Sequence, residues 1–442
     1  MTLASLQDDR KTFLPKIFLQ KRCDIFAFSV LIDMGWKVFL PERFFEPVEN
    51  KIHEIAGSVG DCVPEGPGLM GGKAGLACFY ACYADWTGDR AADGLAADLI
   101  GQALNPAAGR FPSFSHSDGL AGIAWLIHVL AKEGILTHDA SSVFDYLDGP
   151  LYEAMMAEIR AGNYDFLHGA LGISLYFLRQ TNNRKYRLYL AEMVSVLGNN
   201  AEQDAAGGLK WMSVLEPESG KTGYNLSLSH GMASIVIMLA RFIHAGISVT
   251  DCSVLLAALM KYFDRQWLDP EEHQSCFPAW AIESMDELHA SRLAWCYGDP
   301  GIGLAYYEAG KCLQGTSYMS RGLDILMRSA ERRDPADNGV RDAGICHGAA
   351  GLALFYNILY QKTGYTVFAE ASLHWLDVCL NMAVHDTGIA GYKSWYLPEY
   401  GGWKNNAGLL EGAAGIGLVL LSFIHQRKPA WAGGLLLSVE DA

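Results

Sequence analysis

Two cysteines occupy the same place relative to a glycine: Cys296 lies two residues before Gly298, and Cys346 two residues before Gly348. His347 adds an imidazole beside the second thiol. Two soft sulfurs and one borderline nitrogen suit a zinc site with its fourth position open. Cysteine is among the most buried residue types, so a lone thiol usually marks packing; the shared register sets these two apart. The other eight cysteines (Cys23, Cys62, Cys78, Cys82, Cys252, Cys276, Cys312 and Cys379) have no such partners and read as structural. A three-ligand zinc activates what occupies its open corner, water or a thiol. Two thiolate ligands weaken the metal as a Lewis acid and keep a bound thiolate nucleophilic, which favours thiol activation over hydrolysis.

Further candidates follow from the same register. His230 precedes Gly231 as His347 precedes Gly348, and reads either as a general acid or as a histidine capping a helix. Asp165 lies four residues before Gly169, and Arg292 six before Gly298; each reads as a site residue or as half of a surface ion pair. His168 shares the register of His230 without an assigned role.

The elements that must carry these side chains are repeated. Seven segments begin with a glycine at positions 72, 119, 169, 231, 298, 348 and 412, and all place Leu or Ile four residues later. Six keep a second glycine three residues after the first; the exception is Ser234. The spacings run from 47 to 67 residues, enough for two helices and their connections. The helix after each glycine is apolar all round, as in Ile235 to Ala240, and predicts an inner helix. Partner stretches such as Arg184 to Val196 and Phe368 to Leu380 alternate charged with apolar residues and predict an outer layer. The seventh unit is as apolar as the middle ones, whereas an open solenoid needs polar ends, so the hairpins are expected to close into an all-α double-ring toroid. All seven glycine turns then share one rim.

Residues 1–66 are expected to form an N-terminal helical segment that packs on the toroid or completes its ring, and residues 67–442 the seven-repeat domain. Segments 198–226 and 267–291 read as loop insertions, and 393–408 as an aromatic loop. Trp211, Tyr224, Trp395, Tyr396 and Trp403 on these stretches either hold a mobile peptide or pack internally. The chain of 442 residues has a net charge of −15, which argues against a nucleic-acid partner. No export signal or stretch long enough for a membrane helix is read, so a cytoplasmic protein with reduced thiols, not integral to a membrane, is expected.

At its glycine turns the sequence resembles the lanthionine synthetase C family, the LanC-like cyclases. The motifs are SHG (Ser229 to Gly231), WCYGDPG (Trp295 to Gly301), CHGAAG (Cys346 to Gly351) and GLLEGAAGIGL (Gly408 to Leu418). The resemblance implies an (α/α)7 toroid with seven inner and seven outer helices, and zinc held by Cys296, Cys346 and His347. It also implies a lyase-class activity in lanthipeptide antibiotic biosynthesis: addition of peptide cysteine thiols to dehydroalanine or dehydrobutyrine, closing thioether rings. His230 falls at the family's acid/base position, with Asp165 and Arg292 at its aspartate and arginine positions. The length suggests a free-standing cyclase acting on a dehydrated precursor peptide, with a separate dehydratase, an exporter and a peripheral association with a membrane complex. Alternatives are a member that binds glutathione or another small thiol, and a non-catalytic peptide-binding scaffold.

Overall fold

The computed structural model describes residues 36–105, 113–136, 141–216, 219–281, 290–313 and 317–438. Each leading glycine is the N-cap of an inner helix: Lys73–Thr87, Leu120–Lys132, Ala170–Leu178, Met232–His244, Asp299–Cys312, Ala349–Thr363 and Ala413–Ile424. The first turns of these helices have no side-chain cap. The loop ahead folds back and supplies its own carbonyls, as where the N–H groups of Ala349, Ala350 and Gly351 donate to the oxygens of Asp342, Ala343 and Gly344 at 3.0 to 3.2 Å. That return brings the Ile345 carbonyl to within 1.8 Å of where a Cβ on Gly351 would stand, so the second glycine is dictated by the loop's approach.

Six outer helices follow their inner partners: Arg90–Leu104, Ser141–Arg160, Arg184–Asn199, Val249–Asp264, Tyr318–Glu331 and Thr366–Asn381. The seventh comes from the other end of the chain. Helix Glu42–Val59 buries Phe44, Val48, Ile52, Ile55 and Val59, a helical stripe, and packs on Ala413–Ile424. Ala413–Ile424 also packs on Lys73–Thr87, which closes the ring.

A belt of backbone hydrogen bonds runs around the rim through the residues two before each leading glycine. The N–H of Met70 donates to Ser117 O (3.0 Å), Ser117 to Leu167 (2.9 Å), Ser229 to Cys296 (3.3 Å), Cys296 to Cys346 (3.2 Å), Cys346 to Leu410 (2.9 Å) and Leu410 back to Met70 (2.8 Å). The junction between units three and four differs. There the Leu167 N–H donates to Asp165 Oδ1 at 2.7 Å, and the other carboxylate oxygen crosses to His230.

The segments expected as loop insertions carry small strands. Ser213–Glu216, Lys221–Asn225 and Trp280–Ala281 form one antiparallel sheet, joining 198–226 to 267–291, of which 282–289 lie outside the described residues. Ser394–Trp395 pairs with Trp403–Lys404 as a hairpin ahead of the seventh unit. Strands of two to five residues carry too few positions for an alternating pattern, which is why they read as loops. Among the described residues no helix is long and apolar enough to cross a membrane.

Candidate metal centre

The belt places the thiols. Because the Cys296 N–H binds the Cys346 carbonyl, the two loops run side by side, and the ligand atoms of Cys296, Cys346 and His347 all lie within 4.8 Å of one another. Cys296 is buried, while Cys346 and His347 are half-buried. The Cys346 hydrogen bond, against burial and helped by His347 and Arg292, holds the Cys296 thiol well below its ordinary value. Cys346 is held up by that same bond, by burial and by the charges of Cys296 and Glu411. Burial works against the His347 imidazolium, but its hydrogen bond and attraction to Cys296 outweigh it. A metal bound here therefore meets one thiol already inclined to lose its proton.

The turn of the fifth unit differs from the rest. In five units Ser113, Asn163, Asn225, Asp342 and Asn406, six residues before the glycine, accept the N–H two residues on, a side-chain turn that shapes the loop. Arg292 stands at this position in the fifth unit and cannot accept. Gly298 there adopts φ +110°, the one leading glycine in the left-handed half of backbone space. Arg292 is exposed, 6.0 Å from the Tyr297 ring, and its charge reaches both thiols and His347.

On the unit-four side of the thiols, His230 Nδ1 lies 2.7 Å from Asp165 Oδ2. Asp165 Oδ1 meanwhile accepts the N–H groups of Leu167 and His168, so the carboxylate is fixed by its own turn. Burial opposes charge on both groups, yet their mutual bond wins: Asp165 is lowered and His230 raised from the usual values. The Cys296 charge also supports the His230 proton. His168 lies parallel to His230 with ring centroids 5.7 Å apart, and its Nδ1 is 3.7 Å from Asp118 Oδ2.

All six sequence-derived candidates thus come to one stretch of rim. Three further residues were missed: Asp118, Tyr297 and Glu411 occupy the position just before a leading glycine, as His230 and His347 do. The signal was the register itself. At all seven turns this position is exposed or half-buried, so it lines the open face. Of the aromatics, Trp211 is buried with its Nε1–H on Leu197 O, and Tyr224 is buried; both are packing. Trp395, Tyr396 and Trp403 stay at or near the surface, with the two Trp rings 5.1 Å apart. Cys78, Cys252, Cys276 and Cys379 are buried, as structural thiols should be. Cys62 is exposed and fills no core, because the short helical turn Gly60–Cys62 buries nothing. Cys23 lies outside the described residues.

A solved structure, a nisin cyclase, is similar in fold, with a TM-score of 0.72 at 20% identity, covering 91% of this chain and 99% of that one. The nisin biosynthesis protein NisC of Lactococcus lactis subsp. lactis is 26% identical over 348 residues, 72% of this chain and 76% of that protein. The family profile described as lanthionine synthetase C-like protein matches residues 63–436, most of the chain, and with this ring and its rim the chain belongs to that family.

Proposed function

We propose that the protein is a zinc-dependent lanthionine cyclase acting on a dehydrated precursor peptide. The observation that carries this reading is the meeting of Cys296, Cys346 and His347 beside the His230–Asp165 pair. Two sulfurs and one imidazole within 4.8 Å of one another at the rim fit zinc in donor type and spread. When bound, the metal supplies a site at which an incoming thiol is a thiolate at neutral pH. The peptide sulfur adds to the β-carbon of a dehydro residue, and the electron pair moves onto the neighbouring carbonyl as an enolate. Arg292, free of any ion pair among the described residues, stabilises that oxygen. His230 holds its proton because Asp165 binds Nδ1, leaving Nε2 to protonate the α-carbon.

The half-exposed aromatic hairpin Ser394–Lys404 would contact the peptide. The division at residue 66 is functionally one unit on this reading, since Glu42–Val59 covers the seventh inner helix. A separate dehydratase supplies the substrate and an exporter takes the product, with the cyclase working in the cytoplasm or on the inner face of a membrane complex. The test is incubation of the zinc-loaded chain with a dehydrated precursor. Loss of free thiols at unchanged mass supports cyclisation; retention of every thiol by an active-metal preparation rejects it.

A further inference from the structure

Glu411 stands one residue before Gly412, in the register of His230 and His347. A relay of hydrogen bonds sets its side chain. Tyr396 donates its hydroxyl to Glu411 Oε2 at 2.7 Å, and Asn406 Nδ2 donates to the Tyr396 oxygen at 2.8 Å. The Asn406 Oδ1 accepts the Gly408 N–H at 2.8 Å, so that amide cannot turn over without breaking its own loop. One carboxylate oxygen is thereby fixed, and the other, Oε1, has no partner among the described residues.

This acceptor is built against the loop that carries Cys346 and His347. The Cys346 N–H donates to Leu410 O, the residue before Glu411. A Cβ on Gly344 would lie 2.9 Å from Glu411 O and 3.1 Å from its Cα. The cluster is therefore flanked by His230–Asp165 from units three and four and by Glu411–Tyr396 from unit seven. If Glu411 only braced Tyr396, a glutamine would serve as well, since its carbonyl accepts the same bond. What the carboxylate alone offers is a second acceptor, aimed by the first, on a half-buried residue of the rim.

In a cysteine residue only Cα and Cβ separate the amide nitrogen from sulfur, so a group that binds that N–H must lie within one residue's width of the ligands. On the function proposed above, we infer that Glu411 is a substrate-binding residue that accepts the backbone N–H of the incoming cysteine, selecting peptide-embedded cysteine over thiols that lack this donor. The bond is charge-assisted on a half-buried surface, which sets its expected effect at about tenfold in affinity.

The full-length chain loaded with cobalt(II) reports thiol ligation through its visible absorption. Titration uses N-acetylcysteine N-methylamide and the same compound methylated on the cysteine nitrogen. The native chain binds the N–H form about tenfold more tightly, and Glu411→Gln abolishes that preference while keeping cobalt stoichiometry and the affinity for the methylated thiol. Tyr396→Phe, which frees the carboxylate to rotate, narrows the preference to about threefold. An undiminished preference in Glu411→Gln, or none in the native chain, overturns the assignment. If neither thiol perturbs the cobalt spectrum, thiol ligation itself fails, and the function proposed above falls with it.

Discussion

Asp165→Asn isolates the charge that supports His230. Asparagine keeps an oxygen for the Leu167 and His168 N–H groups, now bound at 2.7 and 2.8 Å, so the turn survives. What is lost is the attraction across 2.7 Å to the imidazolium. The side chains are 33% and 20% exposed, which brings water into the field. With an effective dielectric constant of about 60, the interaction is about 2 kcal/mol, and its loss lowers the His230 pKa. His230 is raised in the folded protein, so the stabilisation it contributes is fully present below the unfolded histidine value of about 6.5 and is lost as pH rises through the folded value. Asp165 is lowered, so its contribution is present above about pH 4 and is lost as pH falls through the folded value. The native protein should therefore exceed the variant in stability most between about pH 4 and 6.5, and less at pH 9. NMR titration of the His230 ring checks the shift, and urea unfolding at pH 5.5 and 9 checks the linkage. The alkaline limb of the cyclisation rate should move to lower pH. An unchanged His230 titration, or a stability gap that grows at high pH, would refute the pairing.

Cys346→Ala should lower bound zinc from about one equivalent to almost none in metal analysis while the helical circular dichroism persists; full metal retention would remove this cluster as the site. Gly351→Ala puts a methyl 1.8 Å from Ile345 O, so the loop bearing Cys346 and His347 must shift, at a cost of about 2–4 kcal/mol in urea unfolding and with weaker zinc in chelator competition. Ile52, fully buried under the seventh unit, should cost about 2–4 kcal/mol on truncation to alanine, measured the same way; a loss below about 0.5 kcal/mol would mean that Glu42–Val59 is not part of the ring.

The inner helices were legible because each is specified locally: a glycine pair, then an apolar run that needs burial on every side. The metal cluster was legible for a related reason, since Cys296 and Cys346 occupy one register of a repeated loop and a ring brings equal registers to one rim. The strands were not: Ser213–Glu216 and Lys221–Asn225 pair as a local hairpin too short to show a period, and Trp280–Ala281 joins it from more than fifty residues away. Glu411 was hidden within a recognised motif: nothing near it in the chain announces that Tyr396 and Asn406 will orient it.

By itself the amino-acid order determined the seven-fold repeat, the inner and outer character of its helices and the side chains offered at each glycine turn, because these depend on contacts within one hairpin. Only the tertiary structure decided that the seventh outer helix is drawn from residues 42–59, that the rim belt gives way to Asp165 and His230 between units three and four, and that Tyr396 and Asn406 orient Glu411 beside the loop of Cys346. Those features depend on ring closure, which sets side by side residues that no sequence spacing relates.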